Sequence, residues 1–191
     1  MSPETSFGDQ TVSPAEKTER VGAVFTSVAR RYDLMNDLMS GGVHRLWKDR
    51  FVRCVRPRRG EAILDMAGGT GDIAFRLARS GATVTVADIN PAMLEVGRKR
   101  SERRGIAGLS WIEQNAEALS FADRSFDAYA IAFGIRNVTH IDRALTEAHR
   151  VLVRGGRFFC LEFSTSEWPG FGEIYELYAN AIEIGRASLR E

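Results

Sequence analysis

Residues 61–72 read EAILDMAGGTGD, and the fold turns on this stretch. Ala62, Ile63, Leu64 and Met66 form an apolar run too short for a helix but long enough for a buried strand. Gly68, Gly69 and Gly71 follow at once, where a chain turns sharply or lets a ligand lie against its backbone. Asp72 then stands where a side chain can cap a helix beginning at Ile73, and a helix N-terminus offers N–H groups and partial positive charge to a polar or anionic ligand. Gly69-Thr70-Gly71-Asp72-Ile73-Ala74 satisfies the G-x-G-x-x-G/A fingerprint of dinucleotide folds, a match that alone leaves the ligand open. Two features sharpen it. Asp65 lies inside the strand just before the turn, and Val84-Thr85-Val86-Ala87-Asp88 is a second strand ending in an acid 17 residues after Gly71. An acid there can bind a ribose diol from the neighbouring strand end. An ordinary strand-turn-helix crossover explains the turn but not that second acid.

Working outward, 191 residues at 44% hydrophobic predict one domain with a sizeable core. Twenty-six basic against 25 acidic residues leave a net charge of +1, which gives no electrostatic reason to expect a nucleic-acid partner. Cys54 and Cys160 lack C-x-x-C spacing, and His44, His140 and His149 form no metal motif, a usage that fits a reducing cytoplasm. Residues 1–13 are polar without an apolar signal core and read as a flexible tail. No stretch approaches the roughly 18 consecutive apolar residues of a spanning helix, so any membrane contact is expected to be peripheral.

Ser13-Pro14-Ala15-Glu16 is a capping-box pattern, and Val21, Val24, Phe25 and Val28 follow at helical spacing, which predicts a helix to about Arg31. Tyr32 to Gly42 mixes apolar residues and glycines with little periodicity and reads as a lid. Val43, Trp47, Phe51 and Cys54 then predict a helix packed on the core until Pro57 and Gly60 end it. Trp47 reads as a packing group, whereas Tyr32 and His44 flank a segment able to close over a substrate.

Asn90-Pro91 starts a helix that carries Arg98, Lys99, Arg100, Arg103 and Arg104 on a solvated face and stops at Gly105. A third strand, Leu109 to Glu113, runs into Gln114-Asn115-Ala116-Glu117-Ala118-Leu119. A fourth, Phe126 to Phe133, runs into Gly134-Ile135-Arg136-Asn137. Ala144, Leu145, Ala148 and Leu152 mark a helix, and Gly155-Gly156 separates it from a strand from Arg157 to Phe163. Phe158, Phe159, Leu161 and Phe163 make that strand apolar on both faces, so it expects neighbours on each side. Gly172 to Tyr178 has helical spacing.

Strands alternating with helices predict an α/β fold with a doubly wound, mostly parallel sheet, whose ligands bind outside the carboxyl ends of the strands. Asp65, Gly69, Thr70, Asp88, Asn115, Ala116, Arg136 and Asn137 converge there, too polar a set for a purely structural edge. The plainer alternatives are that Arg136 pairs with a carboxylate such as Asp142 and that Asn137 caps the helix near His140.

At this point several motifs resemble one family. They are Phe25-Thr26-Ser27-Val28-Ala29-Arg30-Arg31-Tyr32-Asp33 through Met35-Asn36-Asp37, His44-Arg45-Leu46-Trp47-Lys48, Asp65 to Asp72, Ala87-Asp88-Ile89-Asn90, Asn115 to Leu119, and Phe133-Gly134-Ile135-Arg136-Asn137-Val138. Together they resemble the ubiquinone/menaquinone biosynthesis C-methyltransferases, also called UbiE or MenG, within the class I S-adenosylmethionine-dependent methyltransferases. The resemblance covers about Val21 to Tyr178. It divides the chain into a tail (1–13), an N-terminal helical lid (14–60), a cofactor-binding core (61–178) and a divergent end (179–191).

The resemblance implies S-adenosyl-L-methionine as cofactor. Asp65 would face its amino group, Gly69 and Thr70 its methionine moiety, Asp88 its ribose hydroxyls, and Asn115 and Ala116 its adenine. It implies a polyprenylated quinol as acceptor, either a benzoquinol or a naphthoquinol. Arg136, Asn137 and Tyr32 would act on the acceptor ring. The implied setting is cytoplasmic, in peripheral contact with the inner membrane face and with other quinone-biosynthesis enzymes. The family continues past the last residue of this chain with two further strands, which implies a C-terminally truncated chain with an incomplete sheet. An inactive methyltransferase remnant and an NAD-dependent oxidoreductase are the alternative readings.

Overall fold

The computed structural model describes residues 5–7, 10–12 and 43–162. The expected helix to Arg31, Tyr32 and the rest of the lid before Val43, and everything from Phe163 onward lie outside the described residues. Within the segment read as a tail, β1 (Thr5–Phe7) and β2 (Gln10–Val12) pair antiparallel.

From α1 (Val43–Val55) the chain alternates in the expected way. It passes through β3 (Ala62–Met66), α2 (Asp72–Ala78), β4 (Thr83–Asp88), α3 (Pro91–Arg104), β5 (Leu109–Glu113) and β6 (Phe126–Ala132). A single 3-10 turn at Ile135–Asn137, α4 (Ile141–Val151) and β7 (Leu152–Leu161) follow. The five strands form one parallel sheet in the order β5-β4-β3-β6-β7. The chain winds from β3 to one side and then returns to build the other, so the switch point lies between β3 and β6.

Side-chain alternation along β3 divides the core. Ile63 faces a cluster with Phe51 and Val55 of α1, Ile73 and Leu77 of α2, Leu94 of α3, and Val84, Val86, Ala128 and Ala130. Leu64 and Met66 face the other cluster, with Tyr129, Ile131, Phe126 and the α4 residues Ala144, Ala148 and Val151. Both faces are covered, which is why β3 and β6 read as near-continuous apolar runs.

Three expectations need correction. The buried face of α1 is His44, Lys48, Phe51 and Val55, not Val43, Trp47, Phe51 and Cys54. Val43 and Trp47 are 42% and 41% exposed, and Cys54 is exposed. Phe51 belongs to both stripes, and a helix turns about 100° per residue, so a neighbouring stripe serves once Lys48 finds a carboxylate partner in Asp72. Secondly, α4 stops at Val151 and β7 begins at Leu152, without waiting for Gly155-Gly156. Leu152 already pairs with Phe126, and the glycines fall where the register shifts before Arg157 pairs with Ala128, with Gly155 at φ +77°. Thirdly, Asp72 is inside α2 and caps nothing; the N-cap position is Gly71, at φ +84°.

Asn90 behaves as expected, its Oδ1 accepting the N–H groups of Ala92 (3.0 Å) and Met93 (3.2 Å), and Gly105 ends α3 at φ +60°. Trp111 of β5 explains two glycines. Its ring meets Phe75 edge-on at 6.1 Å and occupies the space that a Cβ on Gly71 or on Gly97 would need. Gly97→Ala therefore forces Trp111 out of place and should cost about 1–3 kcal/mol, as overpacking does. Urea denaturation measures the loss, and Trp111→Leu in the same chain should recover much of it.

Candidate active site at the carboxyl edge

The central strand ends in Asp65, which is 1% exposed, and neither carboxylate oxygen has a hydrogen-bond partner. Burial, reinforced by the negative charges of Asp88 and Asp72, pushes its carboxyl up to about 8, while the Ala74 backbone N–H and, more weakly, Lys48 pull the other way. Immediately after it the backbone enters the left-handed region at Ala67 (φ +54°) and Gly69 (φ +52°). Gly68 admits no side chain: a Cβ there would lie 2.6 Å from Val86 and 3.0 Å from Asp65 Oδ2. The turn is held by Gly68 N–H on Ala87 O (3.1 Å) and Gly71 N–H on Gly68 O (2.9 Å). Thr70 is buried within it.

Asp88 closes the turn from the next strand. Its Oδ2 accepts the Gly69 N–H at 2.9 Å and its Oδ1 the Asn90 N–H at 2.9 Å. Burial raises its carboxyl, although these amides favour the ionised form. Asp72, beyond the turn, pairs with Lys48 Nζ at 2.7 Å and with Arg76. Burial would lift its carboxyl, but the two cations outweigh burial and hold it below the usual range.

The loops after β5 and β6 reach the same edge. Asn115 is exposed, with its Oδ1 accepting the Glu117 N–H at 2.9 Å, and Ala116 is buried beside it. Arg136, on the 3-10 turn, pairs through Nη1 with Glu162 Oε1 at 2.6 Å, so its carboxylate partner is Glu162 and not Asp142. Asn137 is half-buried and does not cap α4, whose N-cap is His140 without a side-chain cap bond. The N–H groups of Thr139 and His140 go instead to Glu117 Oε1, each at 3.0 Å.

Eight of the nine residues singled out from the sequence thus lie at one edge of the sheet; Tyr32 is outside the described residues. Sequence reasoning missed Lys48, Glu117 and Glu162. An acid at a strand's carboxyl end was the signal that identified Asp88, and the same signal was present at Glu162. A separate recess lined by Phe75, Arg79, Arg104 and Ile106 lies at the opposite edge, before β4 and β5, away from these groups.

A buried carboxylate whose folded-state proton affinity is raised destabilises the fold as pH rises. For Asp65 the destabilisation begins above the ordinary value of 3.8 and is complete above about 8. Without ligand, Asp65→Asn should therefore gain stability over wild type as pH rises from 5 to 8. One proton sets the limiting slope at about 1.4 kcal/mol per pH unit. Chemical denaturation at a series of pH values measures this difference; parallel curves would mean that the carboxylate is not protonated in the folded state.

Comparison with known proteins agrees with the fold. Residues 13–186 match the ubiE/COQ5 methyltransferase family. The ubiquinone/menaquinone biosynthesis C-methyltransferase UbiE of Zymomonas mobilis is 68% identical over 177 residues, 93% of this chain and 73% of that protein. The mitochondrial 2-methoxy-6-polyprenyl-1,4-benzoquinol methylase of Arabidopsis thaliana is 52% identical over 196 residues, 92% of this chain and 68% of that protein. Among solved structures, a putative S-adenosyl-L-methionine-dependent methyltransferase from Methanococcus maripaludis superposes with a TM-score of 0.65 at 14% identity. That match covers 86% of this chain and 74% of the other, and it shows the shared fold.

Proposed function

The chain belongs to the ubiE/COQ5 methyltransferase family, with S-adenosyl-L-methionine as its methyl donor; from that premise we propose that it methylates a ring carbon of a polyprenylated quinol at the edge described above. The observation that carries the reading is Asp65, a buried carboxylate without a partner at the switch point of the sheet. A carboxylate so placed suits a cationic group, and the amino group of the donor is one. The NAD-dependent alternative offers no comparable cation for it, and the family match sets that alternative aside.

The other residues fit the donor on chemical grounds. A carboxylate has about four lone-pair sites, so Asp88 can take ribose hydroxyls in addition to its two amide partners. The left-handed backbone at Gly69, followed by buried Thr70, suits the methionine moiety passing close to the main chain. Asn115 supplies polar contact to the adenine edge, and Ala116 adds little bulk beside it. When bound, the donor supplies an electrophilic methyl group on a sulfonium that is already a good leaving group.

What remains for the protein is alignment, exclusion of water and activation of the acceptor. A ring carbon is a poor nucleophile until the adjacent hydroxyl loses or shares its proton. Arg136 provides a permanent positive charge and N–H donors for the developing phenolate, and Asn137 an amide beside it, with Tyr32 reaching in from the lid. The acceptor is a benzoquinol or a naphthoquinol. Its apolar tail implies that the chain works at a membrane surface; among the described residues no helix is long and apolar enough to cross one. Other enzymes of quinone biosynthesis would supply the acceptor.

Calorimetric titration with S-adenosylmethionine and a methyl-transfer assay separate the roles. Asp88→Ala should weaken donor binding by about 1–3 kcal/mol, because hydroxyls and amides lose a charged acceptor. Arg136→Ala should lower turnover far more than donor affinity, as expected for a group acting on the acceptor in the transition state. Equal loss of affinity and turnover in Arg136→Ala would make Arg136 a cofactor or structural residue. Absence of turnover with both benzoquinol and naphthoquinol acceptors would overturn the reading.

The membrane contact has its own test. Flotation with liposomes should retain the chain and lose a form carrying Leu34→Ser, Met35→Ser, Leu38→Ser and Met39→Ser. Equal behaviour of the two forms would mean that these four residues do not make the membrane contact.

A further inference from the structure

Glu162 follows the last residue of β7, and its side chain is 17% exposed where that of Arg136 is 45% exposed. Its Oε1 accepts a hydrogen bond from Arg136 Nη1 at 2.6 Å, and its Oε2 lies 3.4 Å from the backbone N–H of the same arginine. One carboxylate therefore holds both the guanidinium and the main chain of Arg136. The loop that carries Arg136 is joined to β7 a second time, by the Phe133 N–H on Leu161 O at 2.7 Å. Phe133 itself is at φ +57°, so this loop leaves β6 through a strained residue that its surroundings must hold in place.

An exposed arginine paired with an exposed acid is ordinarily a weak ornament of the surface, since two long side chains must both be ordered. Here the acid is short of freedom already. Glu162 adjoins a paired strand, is largely covered, and reaches Arg136 across the neighbouring strand, 26 residues away in sequence. We propose that Glu162 is a positioning residue for the methyl transfer: it holds the Arg136 guanidinium at the carboxyl edge, in the orientation from which Arg136 meets the acceptor's ring oxygen. The inference rests on the reading of Arg136 given above. Glu162 need not touch the acceptor, and its effect passes through Arg136.

The test is a mutant cycle in the full chain. It uses demethylmenaquinol with one prenyl unit and 2-methoxy-6-prenyl-1,4-benzoquinol as acceptors, each kept reduced. Glu162→Ala should lower kcat on the order of 10–100-fold, the loss expected when a catalytic group is misplaced by about an ångström. Glu162→Gln, which keeps an oxygen acceptor, should recover part of that loss. Donor affinity by calorimetry should stay at the wild-type value in both variants. In the Arg136→Ala background, Glu162→Ala should have little further effect on kcat. Amide hydrogen exchange should quicken at Arg136 in Glu162→Ala and stay unchanged at Gly69.

Wild-type kcat in Glu162→Ala beside a large loss in Arg136→Ala would overturn this inference and leave the reading of Arg136 intact. Equal, additive losses in both backgrounds, with no recovery by glutamine, would also overturn it, because Glu162 would then act by some other route. Wild-type kcat in Arg136→Ala would overturn both.

Discussion

The carboxyl edge is arranged around a carboxylate buried at the cost of stability. Asp65 shares the face of β3 occupied by Ile63, and its carboxylate oxygens are buried without a hydrogen-bond partner. Such a group is costly to keep charged; the Ala74 backbone N–H and Lys48 favour the charge, but burial outweighs them. Lys48 is near enough to act on it electrostatically, but its ammonium is committed to Asp72 at 2.7 Å. The fold thus carries at its centre a group whose charge a cationic ligand would compensate, in keeping with the proposed role of Asp65.

The neighbouring loops are organised by other carboxylates, each reaching sideways from its own strand. Asp88, at the end of β4, takes the Gly69 amide of the β3 loop. Glu117, in the loop after β5, takes two amides at the start of α4. Glu162, after β7, takes Arg136 in the loop after β6. Hydrogen bonds to a charged acceptor are stronger than neutral ones, and each of these crosses between elements distant in sequence. The loops that would hold a donor and an acceptor are therefore registered against one another through their neighbours and not by their own contacts alone.

Two of the four described non-glycine residues with positive φ lie at the same edge. Ala67 and Phe133, the residues that follow Met66 and Ala132 of the two central strands, both have positive φ although neither is glycine. A Cβ on Gly134 would collide with the Ala67 side chain, so the two loops touch main chain to side chain across the switch point. Left-handed residues of this kind cost on the order of 1–2 kcal/mol each and persist where surrounding contacts leave no other path. The close approach lets the β3 and β6 loops form one surface.

Local chemistry in the sequence was enough for β3 to β6, the glycine turn, the Asn90-Pro91 start and Gly105 stop of α3, and the acids Asp65 and Asp88. Short apolar runs, caps and turn residues act within a few positions of one another, so their outcome is legible without the rest of the chain. The same holds for the family motifs, which are contiguous. What only the tertiary structure decided concerns choices between nearly equal local options. α1 has two overlapping stripes sharing Phe51, and burial went to His44 and Lys48 over Val43 and Trp47, with Asp72, 24 residues on, giving Lys48 its partner. That pairing also removed Asp72 from the capping role that its position suggested. Arg136 had Asp142 six residues away, yet its carboxylate is Glu162, because β7 lies beside β6 and delivers its end to that loop. Strand order sets which distant side chains meet at the edge of a parallel sheet, and no local pattern in the sequence encodes it.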